Sequence, residues 1–368
     1  MCVSVTIEHR TSHPFYMYDA IQGQPEAFAR VAARSATGMA VSSGRIASCA
    51  RIFIIGIGTS HHAAQIGAYL FRTYGGGIPV EAVHSFDFAL YGPPLTPHDC
   101  VITMSHRGTK QYSLAALARA REARCYTVLI SGEGDARAPV PADATFLTVP
   151  QEKSSAHTIS YTSAIAVLAT LAGGVGHRRT GRSPFAPTFL TEDLPAALRM
   201  TLGTEQSAAE FARQHSERRR IWLLGGGPSG VTAQEIALKI RETSYLQAEG
   251  MPIEAILHGP FLAAEPEDLF VLIAPAGPAQ QRMMELAAAL PELGAPALVV
   301  SDGSADALRA KAAGWWTVPA VPEPFTALTC LVPLQLLTYH FALRRGTNPD
   351  RFRRDDPRFD RIFARLQL

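Results

Sequence analysis

Ser105-His106-Arg107-Gly108-Thr109-Lys110 gathers two hydroxyls, an imidazole and two cations around one glycine. That set suits an anion: a guanidinium grips phosphate with its fork, an ammonium adds a point charge, and hydroxyls donate to the remaining oxygens. The run follows an apolar stretch ending in Thr103-Met104 and precedes an amphipathic one over 113–123. It therefore reads as a strand-to-helix turn, where the N–H groups of a helix start point at a ligand. Gly56-Ile57-Gly58-Thr59-Ser60 is a second such turn, whose glycines let backbone approach a ligand and whose Ser60 brings a hydroxyl. Gly58, Thr59 and Ser60 join the candidate binding set. In a third run, Pro150 through Thr158, the hydroxyls suit the N-cap of a helix expected over 158–172 and equally suit a ligand, which adds His157 and Thr158.

The elements that must position these turns occur twice. Gly56, Gly58, Ser60, Ala64 and Gln65 fall at one constant offset on Gly225, Gly227, Ser229, Ala233 and Gln234. Further on, Val128-Leu129-Ile130-Ser131 matches Leu298-Val299-Val300-Ser301, and Leu147-Thr148-Val149-Pro150 meets Trp316-Thr317-Val318-Pro319. Four short apolar runs per half, alternating with amphipathic stretches, predict βαβ units and hence an α/β fold: two three-layer αβα domains with flavodoxin-like parallel sheets, related by duplication. We expect a leading segment over 1–30, a ligand-binding domain over 31–175, a Gly/Arg-rich linker over 176–190, a second domain over 191–345 and a tail over 346–368. The copies differ where chemistry would sit. Ser105–Lys110 corresponds to Ala274-Pro275-Ala276-Gly277-Pro278-Ala279, which has nothing to grip an anion, so binding is assigned to the first half.

Composition narrows the function. A net charge of +2 gives no argument for nucleic acid, and no apolar run reaches the ~18–20 residues of a spanning helix, so no membrane partner is expected. Met1 through Glu8 lacks the layout of a signal peptide. The five cysteines (Cys2, Cys49, Cys100, Cys125, Cys330) form no C-x-x-C pair, which points to reduced thiols, a cytoplasmic location and no metal. His61 stands where a dinucleotide fingerprint needs its third glycine, so no cofactor is expected. The arginines between Arg351 and Arg365 alternate with aspartates and read as a solvated or salt-bridged terminus.

Three further stretches carry a family resemblance: Ala237-Leu238-Lys239-Ile240-Arg241-Glu242-Thr243-Ser244-Tyr245, Glu254 through Pro260, and Val332-Pro333-Leu334-Gln335-Leu336-Leu337-Thr338-Tyr339-His340. With the G-x-G-T-S turn they resemble double sugar isomerase (SIS) domain proteins, in particular the isomerase half of glucosamine-6-phosphate synthases, over nearly the whole chain. By residue type alone, Lys239 and Glu242 are an i,i+3 ion pair on a helix surface. The resemblance implies more. Glu242 matches the base that moves a proton between C1 and C2 of a sugar phosphate, Lys239 the cation that orients it, and His258 the ring-opening histidine supplied by a neighbouring subunit. It also implies a homodimer with shared sites.

The chain departs from that family in three places. We expect no counterpart of the ammonia-supplying amidohydrolase domain, and Cys2 is read as a coincidental match to its nucleophile. The family loop S-Q-S-G-E-T has become the more basic Ser105–Lys110, and His157 replaces a serine. The tail lysine that forms an imine with the ketose is replaced by Pro357. We therefore expect an enzyme acting at C1/C2 of a phosphorylated sugar or amino sugar by ring opening and enolisation, as an isomerase, deaminase or deglycase. The alternatives are an aminotransferase fed by a separate glutaminase and a non-catalytic sugar-phosphate sensor.

Overall fold

The computed structural model describes residues 9–134 and 140–366; Met1–Glu8, with Cys2, lies outside them. Its strands are β1 (Arg51–Gly56), β2 (Val80–His84), β3 (Asp99–Met104), β4 (Tyr126–Glu133), β5 (Ala144–Pro150), β6 (Ile221–Gly225), β7 (Ala248–Pro252), β8 (Leu269–Ile273), β9 (Ala297–Ser301) and β10 (Gly314–Thr317). They form two parallel sheets ordered β2-β1-β3-β4-β5 and β10-β9-β8-β6-β7, one topology laid down twice. Ile54 lies between Ala82 and Ile102, and its counterpart Leu223 lies between Gly250 and Val271. The inner strands β3, β6, β8 and β9 are buried along their length, as parallel strands covered by helices on both faces must be.

Four strands per half were expected and five are present. The additional pair, β2 and β7, are edge strands with mostly half-exposed residues, so neither has the continuous apolar run that betrays an inner strand.

The turns explain their glycines. A Cβ on Gly56 would lie 2.4 Å from the Ser60 backbone, and one on Gly225 would lie 2.4 Å from that of Ser229. Gly58 and Gly227 take φ of 56° and 54°, the left-handed region that other residues enter at a cost. Replacing Gly56 by Ala forces backbone atoms apart inside the first helical turn. We expect a loss of about 1–3 kcal/mol, read as a lower thermal midpoint, against Gly38→Ala, which sits in open space inside the helix Gln24–Ala47 and should raise stability by about 0.5–1 kcal/mol.

Two expectations need correction. The helix expected over 158–172 is Ile159–Thr180, so the segment expected as a linker begins inside it. Its glycines serve close packing: a Cβ on Gly176 would sit 1.9 Å from the Tyr74 carbonyl oxygen, and one on Gly174 would sit 2.4 Å from Ser43 Oγ. Phe185 and Phe189, from the remainder of that segment, pack edge-on against Phe325, and the main hydrophobic core runs through both halves. The second correction concerns apolar runs. Ile159–Thr180 and Glu323–Arg344 are long and apolar enough to cross a membrane by length and composition, but 83% and 89% of their apolar windows are buried inside the fold.

Candidate active site

In open parallel sheets ligands bind beyond the strand carboxyl ends where strand order reverses, here between β1 and β3. Both polar turns leave those strand ends. A cavity of about 380 Å³ opens there, lined by Gly58, Thr59, Ser60, Ser105, His106, Arg107, Lys110 and His157 from the first half and by Lys239 and Glu242 from the second. The corresponding place in the second half, beside Gly226, Ser229 and Ala276, holds about 10 Å³.

Ser105 is buried and its Oγ has no partner, so a hydroxyl is available at the cavity floor. His106 sits in a seat kept open by Gly132, where a Cβ would come within 2.6 Å of the ring. The Glu152 backbone N–H donates to His106 Nε2 at 3.3 Å, which makes that nitrogen the acceptor and leaves the proton on the unpartnered Nδ1. Burial, helped by Arg107, pushes His106 down to about 4. His157 packs edge-on against it at 5.0 Å and is driven well down by burial and by His106, so both rings are neutral at physiological pH. Burial also lowers the Lys110 ammonium, with Arg107 and Arg354 adding repulsion. An anionic ligand would relieve that crowding of positive charge.

The helix Pro228–Thr243 carries the opposite wall. Lys239 Nζ lies 2.6 Å from Glu242 Oε2 and 3.6 Å from Glu235 Oε1. Burial opposes the Lys239 charge, but Glu242 and Glu235 outweigh it and its pKa is raised. Burial raises the Glu242 carboxyl above its ordinary range, although Lys239 pulls it back. A half-sheltered carboxylate of raised basicity, its side chain 21% exposed, is suited to accept a proton from carbon.

Glu235 is fully buried and joins the halves. It accepts from Thr59 Oγ1 at 3.1 Å, and its other oxygen is 2.6 Å from His62 Nδ1. The Thr59 hydroxyl, expected to contact ligand, is thus engaged with the second domain. Sequence reasoning passed over Glu235, although positions 235, 239 and 242 form one stripe on one helix, a signal that was available.

Glu152 was also missed. Its buried carboxylate accepts the backbone N–H groups of Thr158 (3.1 Å) and Ser160 (2.9 Å) and the Ser160 hydroxyl. It therefore caps the Ile159–Thr180 helix, where the Pro150–Thr158 hydroxyls were expected to do so. The Thr158 side chain makes no cap bond and its Oγ1 is buried without a partner. A carboxylate facing two N–H groups at a positive helix end prevails over a hydroxyl.

Among the candidates, Thr109 is exposed and Thr158 is buried; neither lines the cavity. His258 also stands apart: its side chain is 73% exposed, with Nε2 2.9 Å from Glu254, away from the Glu242 cavity of its own chain. The tail supplies the reverse surprise. Asp350 accepts the backbone N–H groups of Tyr16 and Met17, each at 2.9 Å, and this anchor brings Phe352 and Arg354 to the cavity wall. Salt bridges of the expected kind are present beyond it, Arg354 with Asp360 and Arg358 with Asp356. Among the described residues, no group of three His, Cys, Asp or Glu side chains converges as a metal site requires.

Two duplicated parallel sheets with polar turns at the strand ends define a class, and the chain belongs to it: the SIS domain family model matches residues 45–173 and 215–345. Its sequence is 31% identical over 82% of its length to the glutamine–fructose-6-phosphate aminotransferase (isomerizing) of Pyrococcus horikoshii, of which it covers 50%. It is 32% identical over 85% to the enzyme of that name from Gloeobacter violaceus, of which it covers 52%. The chain thus spans about half the length of the curated relatives it matches. Among solved structures it resembles the C-terminal domain of glucosamine-fructose-6-phosphate aminotransferase from Francisella tularensis (TM-score 0.83, 20% identity, 92% of this chain and 99% of that one). It also resembles the glucosamine-6-phosphate deaminase of Thermotoga maritima (TM-score 0.74, 20% identity, 92% and 97%). At those identities the likeness is one of fold.

Proposed function

We propose that the chain is an enzyme that opens the ring of a phosphorylated sugar or amino sugar and moves a proton between C1 and C2, in the manner of an isomerase, deaminase or deglycase. The observation that carries this reading is the pair of buried Lys239 and half-sheltered Glu242, which shares one cavity with Ser105, Arg107 and Lys110. Phosphate sits between the Ser105–Lys110 turn and the helix start at Ser60, held by Arg107 and Lys110 with the Ser105 hydroxyl. Glu242 removes the carbon-bound proton, and Lys239 keeps it oriented and ionised. The names of the relatives, which include sugar-phosphate aminotransferases and a deaminase, agree with chemistry at these carbons. The test is solvent-deuterium incorporation at C1 or C2 across a panel of hexose and hexosamine 6-phosphates. Binding without exchange in every member would identify a sensor instead.

Ring opening falls to His258 of a second copy, since the exposed imidazole does not line the cavity of its own Glu242. The site is then complete only in a symmetric dimer. Glu242→Gln and His258→Asn chains, each inactive alone, are expected to regain activity when unfolded and refolded together, because some mixed dimers hold one intact site. A mixture as inactive as its parts would refute the shared site.

A further inference from the structure

Glu242 stands between two cavities. Behind it, on the side away from Ser105, lies a second one of about 470 Å³ walled by Tyr245, Leu246, Phe352, Phe359 and Phe363. Glu242 and Phe352 line both cavities, so the two meet at the carboxylate. The first is basic and hydroxyl-lined, whereas the second is aromatic.

The second cavity is built at the expense of the backbone. Among the described residues, four that are not glycine have positive φ, and three of them stand here: Tyr245 (61°), Phe352 (47°) and Arg353 (56°). Such conformations persist where the surroundings over-determine them, and they cluster at ligand clamps and active sites. The tie is visible: the Arg353 backbone N–H donates to the Tyr245 hydroxyl at 3.0 Å, and the Arg353 guanidinium lies 4.0 Å over the Tyr245 ring and 4.9 Å over that of Phe359. Phe359 and Phe363 are one helical turn apart on Pro357–Leu366, a helix with no buried residue of its own, so its aromatic face is not consumed by the core. This helix begins at Pro357, the position where the resemblance would place an imine-forming lysine.

The geometry points to a substrate larger than a bare hexose phosphate: a sugar phosphate with an aromatic or other bulky apolar substituent on the C1 or C2 nitrogen. This rests on the reading above, with phosphate at Arg107 and Lys110 and the reacting carbons at Glu242. The substituent then extends past Glu242 against Tyr245, Phe359 and Phe363, and it stays bonded while the proton moves. Arg353 lies over one face of the Tyr245 and Phe359 rings, and a plain sugar phosphate adds no contact to the rest of that wall.

Titration calorimetry on the full chain compares fructose 6-phosphate with its 1-benzylamino-1-deoxy derivative. The derivative is expected to bind about tenfold tighter, the contribution of one sheltered aromatic contact. Phe359→Ala removes that preference and leaves the affinity for fructose 6-phosphate within about twofold, because this side chain and the Arg353 guanidinium over it line only the second cavity, whereas Phe363 lies under Arg354 at the wall of the first and is left in place. Equal affinities for the two probes overturn the inference, as does a Phe359→Ala chain that weakens both alike. So does a Phe359→Ala chain that keeps the preference but loses dimerisation, which would give the aromatic face to a second copy of the chain. Deuterium exchange separates this inference from the proposed function. A benzyl preference without exchange from either probe sinks proton transfer and sustains the cavity assignment, and exchange without preference does the reverse.

Discussion

Glu242→Gln is expected to slow exchange of the carbon-bound proton with solvent by about 10²–10⁴-fold, the usual contribution of a positioned general base. Gln keeps the shape of the side chain and an acceptor oxygen for Lys239, so sugar-phosphate affinity stays within about threefold. The loss therefore falls on kcat, with KM little changed. Deuterium incorporation followed by NMR, beside calorimetric binding, separates the two quantities; a variant with full exchange would remove Glu242 from the mechanism. The wild-type pH profile carries a related signature. Burial raises the Glu242 carboxyl, and the base works only when ionised. The acid limb of kcat/KM should accordingly lie above the ordinary carboxylate range.

Lys239→Met has the second large effect, on stability as well as rate. The ammonium is 1% exposed and its partners are Glu242 and the fully buried Glu235. Removing one partner of a buried ionic cluster leaves charge uncompensated and costs about 3–5 kcal/mol. Met fills the volume of the alkyl chain, so the deficit is electrostatic and not a cavity effect. The sign of its pH dependence follows. Lys239 lowers the Glu242 pKa, so without it that pKa, already raised by burial, rises further above its unfolded value. The folded variant then binds the extra proton more readily than the unfolded chain, and its deficit shrinks as pH falls. Urea titrations at pH 7 and pH 5 should show this convergence, and the acid limb of any residual activity should move upward. A deficit independent of pH would mean that Lys239 contributes by packing alone.

Both predictions depend on an arrangement that was only partly legible in the sequence. The turns at Gly56–Ser60 and Ser105–Lys110 could be read because their information is local: an apolar strand, glycines with a steric reason, then a helix start. The duplication helped, since Ala274–Ala279 is the same turn without hydroxyls or cations. Lys239 and Glu242 could be paired from helical spacing. Glu152 could not be found this way, because its partners Thr158 and Ser160 are reached by a loop whose path no periodicity describes. The edge strands β2 and β7 were missed because half-exposed strands lack the apolar run that marks inner ones. Gly176–Thr180 was read as the start of a linker because glycine is ambiguous in sequence; here Gly176 lets the helix approach Tyr74.

The sequence by itself determined the repeated α/β plan, the half that carries the basic, hydroxyl-rich turn Ser105–Lys110, and the helix that carries Glu242. The plan and the turn follow from residue type and short-range spacing, which the backbone converts directly into local geometry; by spacing alone Glu242 was a surface ion pair with Lys239, and only the family resemblance singled it out. Only the tertiary structure decided how the halves cooperate. Thr59 and His62 hold Glu235 across the domain boundary. Asp350 anchors the tail to a helix start 334 residues away in sequence. Phe352 reaches the wall beside Glu242, whereas His258 is exposed and does not line that cavity. Such contacts are fixed by packing of distant segments and by the cost of leaving buried charge unpaired, quantities that no local pattern contains.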